Sequence, residues 1–270
     1  MENYLISLIN LVKLERLQNS SNLTPKTVKT QKKIQNKNAN NNNVSLTQEQ
    51  KDIIIGLMLG DGHLERRKLN HNTRLRIDHT YPKQENYVKH LYEKFKNLTG
   101  SSPKIIIRSP DIRTNKIYKS ISFKTLNQPC LNYYHKLFYQ ELTTEIKKNH
   151  NLKAKFVKIV PNNIESLLTP VSLAHWLMGD GYRENKAIIL CTESFNSCEI
   201  ELLISALKDK FGIICSKQKR LTSYPETRYR IKIKRFATGE NANKLKNLVF
   251  EYIIPEMVYK LGNHNAIKGN

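Results

Sequence analysis

The sequence has few closely spaced cysteines, few acidic residues and no long apolar run, and each of these shortages excludes a class of protein. Its four cysteines, Cys130, Cys191, Cys198 and Cys215, have neither CxxC spacing nor the density of a disulfide-stapled secreted domain. We therefore expect reduced, partly buried thiols and no zinc site. No apolar run approaches the roughly 20 residues that cross a bilayer, and Leu5–Val12 is too short for a secretory signal and has no basic region before it. We expect a soluble intracellular protein with no membrane partner.

The shortage of acidic residues leaves the chain strongly basic. Against 23 Asp and Glu there are 45 Lys and Arg, which gives a net charge of +22 over 270 residues. Residues 51–270 carry 18 of these excess charges, so the folded body is itself basic. Such a charge predicts a polyanionic partner, with nucleic acid first. The alternatives are a solubility device, or an AT-rich genome whose codons favour Lys, Asn and Ile.

The chain divides into an extension and a repeated body. Residues 1–44 end in the tract NKNANNNN at 36–43, which cannot bury enough apolar surface to offset its ordering entropy. We interpret residues 1–44 as a flexible, basic, Asn-rich extension. The run DIIIGLMLGDG at 52–62 follows a capping Ser45 or Thr47 and predicts a helix ending at Gly62. Because Ile53–Leu59 is apolar all round, this helix should be buried on every side.

A second copy of this pattern, TPVSLAHWLMGDG at 169–181, has its Gly-Asp-Gly end 119 residues after that of the first. Similar strand and helix patterns then follow each copy in the same order. They lie at 73–80, 85–98, 104–109 and 116–124 in the first half, and at 187–192, 198–211, 214–220 and 227–235 in the second. The sequence therefore predicts an α+β fold of two pseudo-symmetric αββαββα halves, spanning 45–165 and 166–270.

The two Gly-Asp-Gly ends of these helices carry the chemistry. An Asp-Gly pair is by default only a turn. Here, however, a carboxylate at the negative end of a helix occurs twice, where it is unfavourable without a cation. Small residues would let the helices pack closely side by side; they are Gly56, Gly60, Ala174 and Gly179. Close parallel packing would bring Asp61 and Asp180 together, and the two like charges predict a divalent metal between them.

The segments IIIGLMLGDG and LAHWLMGDG resemble the signature helices of single-chain, two-motif LAGLIDADG homing endonucleases. The resemblance covers about residues 50–262, and KIVPNNIESLLTPVSLAHWLMGDG and IIPEMVYKL are similar to the family branch encoded in introns of mitochondrial large-rRNA genes. It implies halves packed through the signature helices, with antiparallel sheets that bind DNA. Two departures are His175, where a glycine is expected, and Gly262 after the second lysine, where a proline is expected.

The resemblance also implies which residues act. Asp61 and Asp180 would be catalytic metal ligands, helped by the carbonyls of Gly60 and Gly179. Lys158, three residues before Pro161, and Lys260 match the family's catalytic lysines; without the resemblance either would be read as a solvated charge. The implied cofactor is Mg²⁺, with Mn²⁺ as a substitute.

The implied activity is intron-encoded, site-specific cleavage of double-stranded DNA that leaves 3′ overhangs and promotes intron homing. Lysine lies 97 residues after aspartate in the first half and 80 in the second, so the halves have diverged and the site should be long and asymmetric. The resemblance also implies a monomer. The Asn-rich and Lys-rich composition favours an organelle, and the resemblance implies a mitochondrion rather than a chloroplast.

Basic strands supply the predicted DNA-binding surface. In TRYRIKIKR the apolar and basic residues alternate, which places the basic ones on one face of a sheet that suits a major groove. The predicted DNA-binding residues are Arg74, Arg76, Lys104, Arg108, Lys119, Lys124, Arg228, Arg230, Lys232 and Lys234. The alternative for any single strand is an ordinary solvated face.

Two other functions are compatible with this pattern. One is an RNA-binding maturase that helps its intron splice, with intron RNA as partner. The other is a non-catalytic DNA-binding regulator on the same fold. A pure maturase need not keep an acidic residue in both halves, whereas this chain has Asp61 and Asp180.

Overall fold

The computed structural model describes residues 44–68, 70–143, 155–185, 187–220, 227–233 and 240–262. The predicted extension lies outside these ranges except for Val44, and so does Lys234. Within the described ranges, no helix is both long and apolar enough to cross a membrane. The four cysteines are free, and Cys198 is exposed, whereas we expected all four to be partly buried. It lies in the first turn of a surface helix, which explains its exposure.

The predicted αββαββα order is confirmed in both halves. The first half contains α1 (Gln48–Leu59), β1 (His63–Glu65), β2 (Arg74–Thr80), α2 (Glu85–Phe95), β3 (Lys104–Ile107), β4 (Lys119–Lys124) and α3 (Asn132–Phe138), followed by the hairpin β5 (Tyr139–Glu141) and β6 (Phe156–Lys158) and the short α4 (Ile164–Leu167). The second half contains α5 (Pro170–Asp180), β7 (Gly181–Glu184), β8 (Ala187–Leu190), α6 (Ser197–Phe211), β9 (Cys215–Arg220), β10 (Arg228–Ile233) and α7 (Glu240–Val249).

Each half is built on an antiparallel four-stranded sheet. The strand orders are β1-β2-β4-β3 and β7-β8-β10-β9, so the two sheets have the same topology. Alternation along the strands buries one face of each sheet beneath a helix, for example Leu75 and Ile77 in β2 and Ile231 and Ile233 in β10. The other face is free of helices and carries the polar and basic side chains.

The two signature helices, α1 and α5, begin at matching caps. Thr47 and Thr169 each accept a hydrogen bond from the backbone N–H three residues on, and Gln50 and Ser172 return the bond. The helices end differently. α1 ends at Leu59, three residues before the predicted Gly62, because Gly60 leaves the helical conformation, whereas α5 continues to Asp180.

The signature helices pack directly against each other and are buried as predicted. Every residue from Ile53 to Leu59 is buried, and so is every residue from Ser172 to Met178. At the crossing, a Cβ on Gly56 would lie 2.2 Å from the backbone oxygen of Ser172 and 2.9 Å from the Cβ of His175. The interface therefore contains a backbone-to-backbone contact that only glycine allows.

His175, which departs from the family pattern, faces this glycine. The Tyr87 hydroxyl donates to the backbone oxygen of His175 at 3.2 Å and lies 3.2 Å from its Nδ1. His90 stacks on the same imidazole at 5.7 Å between ring centroids. The helix contact is consequently asymmetric: Gly56 leaves room for the side chain of His175, and Tyr87 of α2 contacts its Nδ1 and its backbone oxygen.

The glycine contact gives a stability prediction. Gly56→Ala should destabilise the protein by about 1–3 kcal/mol or more, because the methyl group must push the two backbones apart. Gly179→Ala is the matched control, since its Cβ would meet nothing closer than the Asp61 nitrogen at 3.7 Å. That change should be neutral or stabilise by up to about 1 kcal/mol, as alanine does inside helices. Urea unfolding midpoints measure both, and equal midpoints for the two variants would contradict the packing.

Candidate active site

The paired ends of the signature helices bring Asp61 and Asp180 together. Asp180 is the last residue of α5, and Asp61 directly follows the Gly60 cap of α1. A Cβ placed on Gly60 would lie 3.6 Å from Oδ2 of Asp180. The glycine before each aspartate thus faces the opposite chain segment, which lets the two carboxyl groups converge.

Convergence makes the site electrostatically unfavourable for two bare carboxylates. Burial, the negative charge of Asp61 and a hydrogen bond with the Asp61 carboxylate raise the pKa of Asp180 well above its usual range. Glu193 adds a smaller repulsion in the same direction. The pair therefore favours a bound proton or a bound cation.

Two lysines approach the ends of the signature helices. Lys158, the last residue of β6, donates from Nζ to the backbone oxygens of Gly60 at 2.7 Å and Gly62 at 3.1 Å. Lys260 lies in the 3-10 turn Pro255–Leu261 and donates to the oxygens of Met178 at 2.6 Å and Leu177 at 3.3 Å. Each ammonium group thus donates to backbone carbonyls at the negative end of a signature helix; the Leu177 carbonyl also accepts from the Gly181 N–H.

The surroundings of these lysines favour loss of their protons. Burial lowers the pKa of Lys158 and of Lys260 to about 8, although the charges of Asp180 and Asp61 oppose the change. An amine with such a pKa can accept or release a proton near neutral pH. The two centres are not equivalent, because Lys158 bonds the carbonyl of Gly60, whereas Lys260 bonds carbonyls one and two residues before Gly179.

His79 is a site residue that our sequence analysis missed. Its Nδ1 lies 3.7 Å from Oδ2 of Asp61, and its buried Nε2 has no hydrogen-bond partner within the described ranges. Burial lowers the pKa of His79, so the ring is favoured in its neutral form. The alternation of β2 could only place His79 on the buried face with Leu75 and Ile77. Its contact with Asp61 depends on how β2 lies against the end of α1.

The donor atoms at this site fit a hard divalent cation. The described part of the chain contains no cluster of three or more His, Cys, Asp or Glu side chains arranged to hold a metal. Two carboxylates and the carbonyls of Gly60 and Gly179 are all oxygen donors, which Mg²⁺ prefers, and Mg²⁺ commonly completes its shell with water and substrate phosphate. The carbonyl of Gly60 would be shared with Lys158. The residues present therefore fit a metal that is held jointly by protein and substrate.

The strand register identifies the helix-free face of each sheet. In the first sheet Arg76 pairs with Lys124, and the same face carries Arg74, Lys104 and Arg108. In the second sheet Lys232 pairs with Ser216 and Arg230 with Gln218, and Arg228 lies opposite Arg220. Both sheets therefore present a helix-free basic face.

One member of the predicted set lies on the other face. Lys119 is an odd number of residues from Lys124 and shares its side of β4 with the buried Ile121 and Phe123. Because side chains alternate along a strand, Lys119 points toward the helix-covered side. Among the described residues of the predicted set, Lys119 is thus separated from the helix-free face, and its contact with DNA stays a prediction. Lys119 and Lys124 are both basic ends of β4, but the alternation places them on opposite faces.

Acidic residues that we did not predict also lie on the helix-free faces. Glu65 pairs with Arg74 at 2.7 Å, and Asp78 pairs with Arg76 at 2.9 Å and Arg108 at 3.3 Å. In the second sheet, Glu193 bonds Arg230, whose Nη1 also donates to the Tyr182 hydroxyl at 2.7 Å. These carboxylates hold the guanidinium groups in fixed positions, which suits recognition of base edges better than diffuse attraction to phosphate.

The sequence of the chain matches a known family of proteins. Residues 51–238 match the model of the LAGLIDADG DNA endonuclease family. The chain is 31% identical over 230 residues to the DNA endonuclease I-ChuI of Chlamydomonas applanata, an alignment that covers 82% of this chain and 98% of that protein. It is also 31% identical over 229 residues to the cytochrome b mRNA maturase bI2 of Saccharomyces cerevisiae, where 84% of this chain aligns with 51% of the maturase.

A solved structure has the same architecture. The homing endonuclease I-WcaI bound to its DNA recognition sequence superposes with a TM-score of 0.67 at 26% sequence identity. The superposition covers 81% of this chain and 88% of that one. The α+β fold inferred from the repeated pattern is thereby confirmed.

The crowded carboxylates predict a pH-dependent cost to stability. The pKa of Asp180 in the folded protein lies above the 3.8 of a free carboxyl. The free energy of unfolding therefore decreases as the pH rises above 3.8, because ionisation of Asp180 is less favourable in the folded state. Asp180→Asn removes the ionising group. In metal-free buffer its melting temperature should therefore exceed that of the wild type, by more at about pH 8 than at about pH 5.

Thermal unfolding followed by circular dichroism measures this difference. Asp52→Asn, near the other end of α1, is the matched control, because it also removes one negative charge but lies away from the paired aspartates. A larger advantage of Asp180→Asn at the lower pH would show that the sign of the shift is wrong.

Proposed function

Because the chain belongs to the LAGLIDADG DNA endonuclease family, we propose that it is an intron-encoded, site-specific enzyme that hydrolyses both strands of DNA at a long asymmetric site. The observation that carries this proposal is the convergence of Asp61 and Asp180, one from each half, at the paired ends of the signature helices. Each half thus supplies one carboxylate for one strand. Cutting within one intron-less allele would promote intron homing.

The cofactor we propose is Mg²⁺, with Mn²⁺ as a substitute, held by Asp61, Asp180 and the carbonyls of Gly60 and Gly179. A bound divalent ion would lower the pKa of an attacking water and stabilise the leaving 3′ oxygen. Asp61 and Asp180 would hold the ion beside the reacting phosphates, and the buried ring of His79 packs beside the Asp61 carboxylate, with its Nδ1 3.7 Å from Oδ2. The raised pKa of Asp180 supports the proposal, because a cation would relieve the repulsion between the two carboxylates.

Lys158 and Lys260 complete the two centres. Each ammonium group lies at the end of one signature helix, where it can stabilise negative charge on a phosphate. Their lowered pKa also allows either amine to take part in proton transfer at neutral pH. Because the two carboxylates are so close together, they can reach opposite strands only across the narrow minor groove, and this geometry gives 3′ overhangs.

Recognition would depend on the helix-free faces of the two sheets. The basic residues on these faces are Arg74, Arg76, Lys104, Arg108, Lys124, Arg228, Arg230 and Lys232. Both active carboxylates lie on one chain, so we propose that a monomer suffices. The different contacts in the two halves, such as Asp78 in one and Glu193 in the other, support an asymmetric target.

A role in RNA splicing is the second candidate function. Two of the similar proteins carry the name mRNA maturase, from Saccharomyces cerevisiae and Debaryomyces hansenii. The retained pair Asp61 and Asp180 favours DNA cleavage as the primary activity, with intron RNA as an additional partner. For localisation we propose an organelle, which rests on the Asn-rich and Lys-rich composition, and a mitochondrion before a chloroplast, which rests on the resemblance to the branch encoded in mitochondrial large-rRNA introns.

Substitution of the two aspartates tests the catalytic assignment. Asp61→Asn and Asp180→Asn keep the side-chain size but remove the charge, so both variants should bind target DNA and neither should make efficient double-strand breaks. The measurement is cleavage in Mg²⁺ of a strand-labelled duplex carrying the fused-exon sequence that flanks the gene's intron. If each centre works alone, the two variants should nick opposite strands; if the metals are shared, each change should depress both cuts.

Two controls accompany this experiment. Asp52→Asn should cut like the wild type, because Asp52 lies at the opposite end of α1. Ca²⁺ in place of Mg²⁺ should allow the wild type to bind without cutting. Wild-type double-strand cleavage by the doubly substituted protein would falsify the assignment of these carboxylates.

The basic sheet face gives a separate prediction for binding. Lys232→Ala should weaken binding and flatten its salt dependence by about one unit of slope, as the loss of one phosphate contact does. Lys232 is suited to this role because its side chain is 37% exposed and its nearest acidic group, on Glu184, is 3.9 Å away. Lys208→Ala, on the exposed surface of α6, is the control and should leave the slope unchanged. Identical slopes for the two variants would exclude the face around Lys232 from the interface.

A further inference from the structure

The hairpin of β3 and β4 carries apolar side chains on the face where solvated polar ones are expected. Ile106 pairs with Ser120 and lies on the helix-free side with Lys104. The hairpin continues by one step, because the Arg108 N–H donates to the Tyr118 oxygen at 2.9 Å. Arg108 and Tyr118 therefore also point to the helix-free side, and Tyr118 is the diagonal neighbour of Ile106. We call Ile106 and Tyr118 the hairpin patch.

The fold itself gives no reason for the hairpin patch. Ile106 is 42% exposed and Tyr118 is 49% exposed, so neither contributes a buried contact to the core. Ile105 and Ile107 lie on the opposite side of the same strand, toward the helix-covered face. β3 is the last strand in the order β1-β2-β4-β3, and an exposed apolar edge strand is usually blunted by charge because it invites aggregation. An apolar pair kept at such an edge suggests a binding partner.

Charge identifies the partner. Lys104 and Arg108 flank Ile106 on the same face, and Arg108 reaches Asp78 at 3.3 Å and Ser120 at 3.4 Å, which holds its guanidinium group along the sheet. This surface combines cations with a small apolar protrusion and so matches the major groove of DNA. Phosphates line the edges of that groove, and the thymine 5-methyl group is the apolar feature of its base pairs. A protein surface or a lipid would not require this arrangement of positive charge.

We propose that the hairpin patch makes the first half specific for A·T pairs, because Ile106, supported by Tyr118, contacts a thymine 5-methyl group in the major groove. This inference rests on the proposed function and names specificity-determining residues for it. Lys104 and Arg108 would hold the flanking phosphates or base edges and fix the position of the apolar contact. Pairing of two copies through their β3 edges is the competing explanation.

Replacing thymidine by deoxyuridine tests the proposal, because it removes only the methyl group. The full chain is bound in Ca²⁺ to the fused-exon duplex, and to duplexes in which one thymidine at a time, on either side of the cleavage site, is deoxyuridine. At one or more positions the wild type should lose about fourfold in affinity, the factor that corresponds to about 0.8 kcal/mol for one buried methyl or methylene group. Ile106→Ala should lose at least as much on the natural duplex and nothing further on deoxyuridine at that position.

Ile107→Ala is the matched control, since Ile107 is on the same strand, 66% exposed, and on the opposite face. It should respond to deoxyuridine as the wild type does. Ile106→Ser is a second variant, which replaces the apolar side chain by a short polar one, and it should behave like Ile106→Ala. If both Ile106 variants retain the full deoxyuridine effect, or if no deoxyuridine matters to the wild type, the proposal is overturned.

The same experiment separates this inference from the proposed function. If the wild type prefers the fused-exon duplex over a scrambled duplex but Ile106→Ala behaves like Ile107→Ala, only the thymine contact is wrong. If the wild type does not distinguish the two duplexes, the proposed function and this inference both fail. Sedimentation velocity of the wild type without DNA should give a monomer; a dimer that Ile106→Ala dissociates would instead assign the patch to pairing between copies.

Discussion

The contact between α1 and α5 is the constraint on which the rest of the structure depends. Gly56 lies against the backbone of Ser172, so the two helices approach more closely than any side chain at that position would allow. The two helices also stay close at their C-terminal ends, where Gly60 and Gly179 each face the opposite segment. Two carboxylates on separate halves thereby become one site. The sheets are attached to these helices, so their basic faces are positioned by the same contact.

The groups of the active site lower the stability of the folded protein. Two carboxyl groups lie together, and two lysines are partly or fully buried beside them, which burial alone disfavours. The lysine contacts with carbonyls at the helix ends offset part of that cost, because each ammonium group donates two hydrogen bonds at the negative end of a helix. What remains is a concentrated field that can hold a cation and a phosphate. Natural proteins commonly retain such locally unfavourable groups where function needs them.

Pseudo-symmetry in the fold does not extend to the chemistry of the two centres. Lys158 bonds the carbonyls on either side of Asp61, whereas Lys260 bonds carbonyls earlier in α5. His79 approaches Asp61, while Glu193 acts on Asp180 from the turn between β8 and α6. His175 faces Gly56 at the helix crossing, where a symmetric interface would place two small residues. These differences give each DNA strand a different environment, as a non-palindromic target requires.

The sequence by itself determined the elements, their repetition and the paired aspartates, because these depend on local patterns. Capping residues, apolar runs and alternation are read within about ten residues, and the Gly-Asp-Gly ends stand out by occurring twice. The resemblance added Lys158 and Lys260, which lie far from the aspartates along the chain. Only the tertiary structure decided that His79 reaches Asp61, that Glu193 and Asp78 hold arginines, and that Lys119 lies on the opposite face from Lys124. Each of these depends on register or on packing between distant segments, and no local pattern encodes those distances.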